Sequence, residues 1–127
     1  MAKVAVIDDD LAVSQLYELK LKKAGYKVRT AANGQEGLTV LEQFHPDIVL
    51  LDLRMPVMEG LEMLKMLRAQ HWAKHIPVII LSNVSKEEAP SELHHLGVHQ
   101  YLVKAHHTPQ QVVDIVTQTL HHYKKTS

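Results

Sequence analysis

Ile48-Val49-Leu50-Leu51-Asp52 is the densest apolar run in the chain, four branched aliphatic residues closed by a carboxylate. A strand with one wet face alternates apolar and polar side chains, whereas a strand apolar at every position is covered on both faces, as in the middle of a parallel sheet. Four residues are also far too few to cross a bilayer, which takes roughly 18. Outward from this run, residues 4–7, 27–31, 78–81 and 101–103 are further runs of strand length, and segments of helical period separate them. In the first such segment, positions 13, 16, 17, 20, 21 and 24 trace an i, i+3, i+4, i+7 stripe with Lys20 the only miss, and Gly25 follows as a stop. The second repeats the stripe at Gly37, Val40, Leu41 and Phe44, with Asn33 and Glu36 spaced as an N-terminal cap and Pro46 ending it. A third helix is expected over about residues 59–69. The last has Thr108 as N-cap, Pro109 at the first helical position, Gln111 placed for a capping box and Val112, Val116 and Leu120 as its buried line. The fourth is weak: Ser85 and Glu88 form a capping pair, yet Pro90 would sit inside the helix, so a short element starting near Pro90 is expected. Strict alternation of strands and helices predicts an α/β protein, a five-stranded parallel sheet doubly wound as (β/α)5. Such sheets bind ligands at the carboxyl ends of their strands, beside the point where strand order reverses.

The 127 residues suit one domain with one core. Absence of cysteine excludes thiolate catalysis, Cys-based zinc sites and disulfides. With 14 Lys+Arg against 14 Asp+Glu, there is no bulk electrostatic argument for nucleic acid or an anionic membrane as a partner. The N-terminus enters a strand pattern at once and leaves no room for a signal peptide, so a cytoplasmic location is expected. Ten histidines are the compositional oddity. Titrating normally, they would carry the protein from neutral to strongly cationic between about pH 7.5 and 5.5.

Four of the five strands deliver a polar group to one edge. Asp8-Asp9-Asp10 follows the first, Asp52 the third, Ser82 the fourth and Lys104 the fifth. Singly, each has an ordinary reading as a helix cap, a turn or a solvated charge. Jointly, on a fold that converges these ends, they make a pocket. Crowded carboxylates repel unless a cation compensates, and an open all-oxygen site suits Mg²⁺, which shares its shell with water and phosphate oxygens. Lys104 adds a second positive charge for the same anion, and Ser82 a hydroxyl donor. The chemistry implied is in-line attack by an aspartate carboxylate on a phosphoryl group.

The chain closely resembles the response-regulator receiver domain of two-component signalling. The resemblance runs from Val4-Ala5-Val6-Ile7-Asp8-Asp9-Asp10 through Leu50-Leu51-Asp52-Leu53-Arg54-Met55-Pro56-Val57-Met58-Glu59-Gly60 and Ile79-Ile80-Leu81-Ser82 to Tyr101-Leu102-Val103-Lys104. It implies a flavodoxin-like fold with strand order 2-1-3-4-5 over residues 1–123, leaving 124–127 as a tail or the start of a linker. It implies that Asp52 is the phospho-acceptor, and that Asp9, Asp52 and the backbone carbonyl of Arg54 bind Mg²⁺, with Asp8 acting mostly through water. Ser82 would be the switch hydroxyl, Lys104 the bridge to the phosphoryl group and Tyr101 the aromatic switch residue, turning inward on phosphorylation. The implied partners are a sensor histidine kinase or phosphotransfer protein, and an effector protein or domain read through the face of fourth helix, fifth strand and last helix. That face is also where a phosphorylation-dependent dimer would form; neither direct nucleic-acid contact nor a membrane is implied. The protein would not be a conventional enzyme, catalysing only its own aspartyl phosphorylation and dephosphorylation.

Three positions depart from the family pattern. Ala105 stands where a cis proline usually follows the lysine; a cis Lys-Ala bond costs about 2.5 to 4 kcal/mol, so either this bond is trans and the loop is rearranged or the fold sustains a rare cis bond. Asn83 replaces a small residue at the pocket mouth, where it would narrow access or hydrogen-bond the phosphate. Val84 replaces a frequently polar residue that influences the attacking water, which predicts a long-lived phosphoryl group. The fourth-helix region carries Glu87, Glu88 and Glu92 with no arginine, which argues against the dimer of the winged-helix subgroup. It is instead rich in histidine: His94, His95, His99, His106, His107, His121 and His122 cluster in the last third of the chain. Because neighbouring histidines on a helix point in different directions, solvated imidazoles are expected ahead of a metal or pH-sensing interface. Trp72 is expected to cover the core edge, and Met55, Met58, Met63 and Met66 to pack in loop and helix, with a soft docking patch as the other reading. The rival function is a pseudo-receiver, an interaction module whose pocket no longer accepts phosphate because of Asn83 and Ala105. A related aspartyl-phosphate hydrolase is disfavoured because Arg54 stands where its second acid would be, and a dinucleotide site because no Gly-x-Gly-x-x-Gly occurs.

Overall fold

The computed structural model describes residues 1–126. Five strands, β1 (Lys3–Ile7), β2 (Lys27–Ala31), β3 (Ile48–Leu51), β4 (Val78–Ser82) and β5 (Val98–Val103), form one sheet of order β2-β1-β3-β4-β5. All neighbouring pairs are parallel. Four α-helices join them: α1 (Leu11–Lys23), α2 (Gly34–Phe44), α3 (Gly60–Arg68) and α4 (Pro109–Thr126). Alternate residues of the central strands point to opposite faces. Ala5, Ile7, Val49, Leu51 and Ile80 pack with Leu41 of α2 and Met63, Leu64 and Leu67 of α3. Val4, Val6, Ile48, Leu50, Ile79 and Leu81 pack with Tyr17 and Leu21 of α1 and Val112 and Val116 of α4. This two-sided burial is why β3 is apolar at every position.

Local chemistry sets the helix ends as the spacing predicted. The Asn33 side chain accepts from Glu36 N at 2.9 Å and donates to the Glu36 carboxylate, and His45 closes α2 in the left-handed region. Thr108 Oγ1 accepts from Gln111 N at 3.1 Å while Gln111 Oε1 accepts from Thr108 N at 2.9 Å, a reciprocal capping box. Trp72 is half-buried against the core beside the His45 ring. Met55 and Met63 are buried, and Met66 is 46% exposed.

Four expectations need correction. The fourth helix is two 3₁₀ turns, Lys86–Glu88 and Ser91–His95, separated by Ala89 and Pro90 in extended conformation. Pro90 supplies no N–H and pushes the residue before it out of the helical region, so no α-helix passes through. β5 starts at Val98, earlier than residue 101, because this edge strand is polar at His99 and Gln100 and lacks the apolar run that marks a central strand. α1 buries Ser14, Tyr17 and Leu21, while Leu11, Leu16 and Leu19 are 68%, 41% and 54% exposed. The expected stripe holds at Val13, Tyr17 and Leu21 and fails at Leu16, while Ser14 joins the buried line. α4 runs on to Thr126, so the tail expected from residue 124 is helical to that point, and Ser127 lies outside the described residues. No helix among the described residues is long and apolar enough to cross a membrane.

Candidate functional site

The carboxyl ends of β1, β3, β4 and β5 meet at one edge of the sheet, and the sequence-predicted residues meet there with them. Asp8 continues the β1 ladder through its N–H, which donates to Ala31 O at 3.0 Å. Its carboxylate accepts from Asp10 N at 2.9 Å, and its carbonyl accepts from Ser14 Oγ at 3.2 Å. Asp52 is held likewise, its N–H donating to Ile7 O at 2.9 Å. The side chains of both are almost fully buried, whereas Asp9 is exposed. One carboxylate oxygen from each of Asp8, Asp9 and Asp52 lies within 4.8 Å of the others. Three oxygen donors, one of them open to solvent, fit a hard divalent cation that keeps part of its water shell. Arg54 N reaches Asp52 Oδ1 at 3.5 Å, placing the Arg54 backbone at the same loop.

Lys104 closes this arrangement. Its Nζ lies 2.6 Å from Asp8 Oδ2 and 3.3 Å from Asp52 Oδ2. Burial disfavours the ammonium, but hydrogen bonding to Asp8 and the nearby Asp52 charge outweigh it and raise its pKa above the ordinary value. Burial pushes the Asp8 carboxyl above its ordinary value, against the pull of Lys104. There is no cis peptide among the described residues, so Lys104-Ala105 is trans. A 3₁₀ turn over Lys104–His106 follows the strand, and the lysine still reaches both aspartates. With Ala105 in a trans bond, the lysine charge still stands at the two aspartates.

Ser82 is fully buried, with its Oγ accepting from Val84 N at 3.2 Å. Tyr101 is half-buried against the core, and its hydroxyl donates to Val84 O at 2.6 Å. Two bonds to one residue thus join the pocket serine to the tyrosine on the neighbouring strand. The tyrosine ring already occupies an inward seat. A pocket of about 560 Å³ opens over Asp9, Asp52, Ser82 and Lys104, with Asn83 and Glu88 on its wall. Asn83 is exposed at that rim and leaves the pocket open.

Two contributors were not assigned roles in the sequence. Gly60 packs on the turn that follows β3: a Cβ there would lie 2.2 Å from Asp52 O, and its N–H donates to Leu53 O at 3.0 Å. Only a residue without a side chain lets α3 start this close to the site. Ser14 is a polar residue on the buried line of α1, and that misplacement within an apolar stripe was the available signal. A larger hollow of about 1000 Å³ lies at the opposite end of the sheet, around Arg68. The Arg68 guanidinium there is taken up by the carbonyls of Ala73, Ile76, Leu96 and Gly97 and works as a staple between loops.

The family model of the response regulator receiver domain matches residues 4–117. The chain is 33% identical over 104 residues to the DNA-binding dual master transcriptional regulator RpaA of Synechocystis, covering 82% of this chain and 43% of that protein. It is 34% identical over 114 residues to the cell cycle transcriptional regulator CtrA of Caulobacter vibrioides, covering 89% and 48%. The chain thus spans less than half the length of these relatives. Among solved structures, chemotaxis protein CheY4 of Vibrio cholerae superposes with a TM-score of 0.85 at 33% identity, over 93% of this chain and 98% of that one. A receiver domain protein from Methanospirillum hungatei gives 0.89 at 25% identity, over 100% and 99%.

Proposed function

Because the chain belongs to the response regulator receiver domain family, we propose that it is a phosphoacceptor switch, with Asp52 receiving a phosphoryl group from a sensor histidine kinase or a phosphotransfer protein. The observation that carries this reading is the Lys104 ammonium set between Asp8 and Asp52 at 2.6 and 3.3 Å. A fixed cation at that point faces the oxygens of any phosphoryl group joined to Asp52. An Asp52 oxygen attacks phosphorus in line, the bond from phosphorus to the donor nitrogen breaks, and the departing imidazole keeps the electron pair and takes a proton from water. Lys104 neutralises one equatorial oxygen and the Ser82 hydroxyl donates to another. Asp9, Asp52 and the Arg54 carbonyl would hold Mg²⁺, with Asp8 reaching it through water; when bound, the ion supplies further charge neutralisation to the oxygens in transit. The exposed leucines Leu11, Leu16 and Leu19 of α1 offer a donor apolar contacts.

The switch is read through Val84. Drawing Ser82 toward a new phosphoryl oxygen releases its bond to Val84 N, and Val84 O holds the Tyr101 hydroxyl. Since Tyr101 is already inward, phosphorylation acts by resetting the Val84 segment more than by swinging the ring. The affected face consists of residues 86–95, β5 and α4, where an effector protein or output domain docks and where a phosphorylation-dependent dimer would form. The switch domain is drawn at residues 1–123, with the last turn of α4 continuing out of it, and its setting is the cytoplasm. Val84 offers attacking water no polar handle, so the phosphoryl group is long-lived. The test is intact mass after incubation with Mg²⁺ and acetyl phosphate, with an Asp52→Asn control. A metal-dependent gain of one phosphoryl group, absent in the control, supports the reading. A folded protein that gains nothing overturns it in favour of an interaction module that is not phosphorylated.

A further inference from the structure

Away from the acidic pocket, the histidines are not all scattered. His99 lies on β5 and His122 near the end of α4, and the fold brings their rings to 6.0 Å between centroids. Tyr123 completes a triangle, its ring 5.3 Å from that of His99 and 5.6 Å from that of His122. Its hydroxyl lies 3.4 Å from His99 Nδ1. The expectation of solvated imidazoles rested on neighbours within one helix pointing apart. This pair escapes it because its members come from two elements.

We propose that His99 and His122 form a two-imidazole site for a divalent ion of the copper, nickel or zinc kind, with Tyr123 as the positioning residue for His99. A metal about 2.0–2.1 Å from each nitrogen at a tetrahedral angle puts two imidazole centroids roughly 5.2 Å apart. The observed 6.0 Å is wider than this by less than an ångström, and both histidines are exposed, so small side-chain rotations close the gap. Imidazole nitrogen selects this group of ions over Mg²⁺, which prefers the oxygen donors of the acidic pocket. Donation of Nδ1–H from His99 to the Tyr123 oxygen would leave the Nε2 lone pair for the metal. Water fills the remaining coordination positions. The bound ion would tie α4 to the edge strand, on the face assigned to output, so metal occupancy would bias that face independently of Asp52.

The test is calorimetric titration of the whole chain with Zn²⁺ and, separately, Cu²⁺, in excess Mg²⁺ to occupy the oxygen site. Imidazole proton resonances are followed alongside. The expected result is one saturable ion per chain, Cu²⁺ tighter than Zn²⁺, with the His99 and His122 resonances moving. His99→Gln and His122→Gln should each weaken binding at least about tenfold, and Tyr123→Phe by a smaller factor, while His94→Gln leaves it unchanged. Both glutamine variants replace exposed side chains, and their circular dichroism should match the parent. Equal affinity in the parent and the two variants, binding spread over the other histidines, or no saturable binding would each overturn the assignment.

Discussion

Replacing Lys104 by methionine keeps the length of the side chain and removes the one cation that bridges Asp8 and Asp52. At an effective dielectric of about 20, charges 2.6 and 3.3 Å apart attract by roughly 6 and 5 kcal/mol. Much of this gross attraction offsets the cost of burying the ammonium, several kcal/mol in real proteins. Breaking a buried pair by removing one partner typically costs about 3–5 kcal/mol, because a charge is left unpaired. The Lys104 side chain keeps 15% of its exposure, so screening by water places the expected loss near the lower end, about 3 kcal/mol at pH 7.5 in EDTA. The pH dependence has a definite sign. Burial already raises the folded-state pKa of Asp8 from 3.8, and losing Lys104 raises it further, so the variant's stability falls as pH rises through the range above 3.8. The raised pKa of Lys104 gives the parent stability that is complete below about 10.5 and lost as pH climbs through the folded value. The gap between parent and variant should therefore be widest near neutrality and shrink toward both extremes. Urea unfolding at a series of pH values measures it, and Mg²⁺ should restore part of the loss by binding the uncompensated carboxylates. A variant as stable as the parent at pH 7.5 in EDTA, or a difference independent of pH, would refute the electrostatic account.

Gly60→Ala should destabilise by about 3 kcal/mol or more, since its Cβ meets the Asp52 carbonyl at 2.2 Å; urea midpoints will show it, and phosphorylation should slow with it. Tyr101→Phe removes the 2.6 Å bond to Val84 O and should cost about 1 kcal/mol, with amide shifts confined to the loop after β4 in NMR spectra. Asn33→Ala removes the α2 cap and should also cost about 1 kcal/mol, read as a lowered thermal midpoint with no change in phosphorylation.

The central strands and most helix ends were legible because one physical cause wrote each into the sequence. Burial on two faces makes residues 48–51 wholly apolar, and unsatisfied backbone groups at α2 and α4 call for Asn33, Thr108 and Gln111. The acidic edge was legible because parallel topology places every strand's carboxyl end together, which brings Asp8, Asp52, Ser82 and Lys104 to one site. What failed depended on tertiary neighbours. The buried line of α1 passes through Ser14, whose hydroxyl donates to the Asp8 carbonyl just after β1, and periodicity in hydrophobicity cannot see that bond. The start of β5 was hidden because an edge strand tolerates His99 and Gln100. The inward seat of Tyr101 and the meeting of His99 with His122 depend on side chains from separate elements, which spacing along the chain does not encode.

The claim that Asp52 carries the phosphoryl group is tested most directly by chemical mapping. After reaction with acetyl phosphate and Mg²⁺, borohydride reduces an aspartyl phosphate to homoserine, and peptide mass spectrometry locates the conversion. Homoserine at position 52 alone, lost when Mg²⁺ is withheld, is the predicted result. Conversion at Asp8 or Asp9 instead, or none in a protein that remains folded, would contradict it.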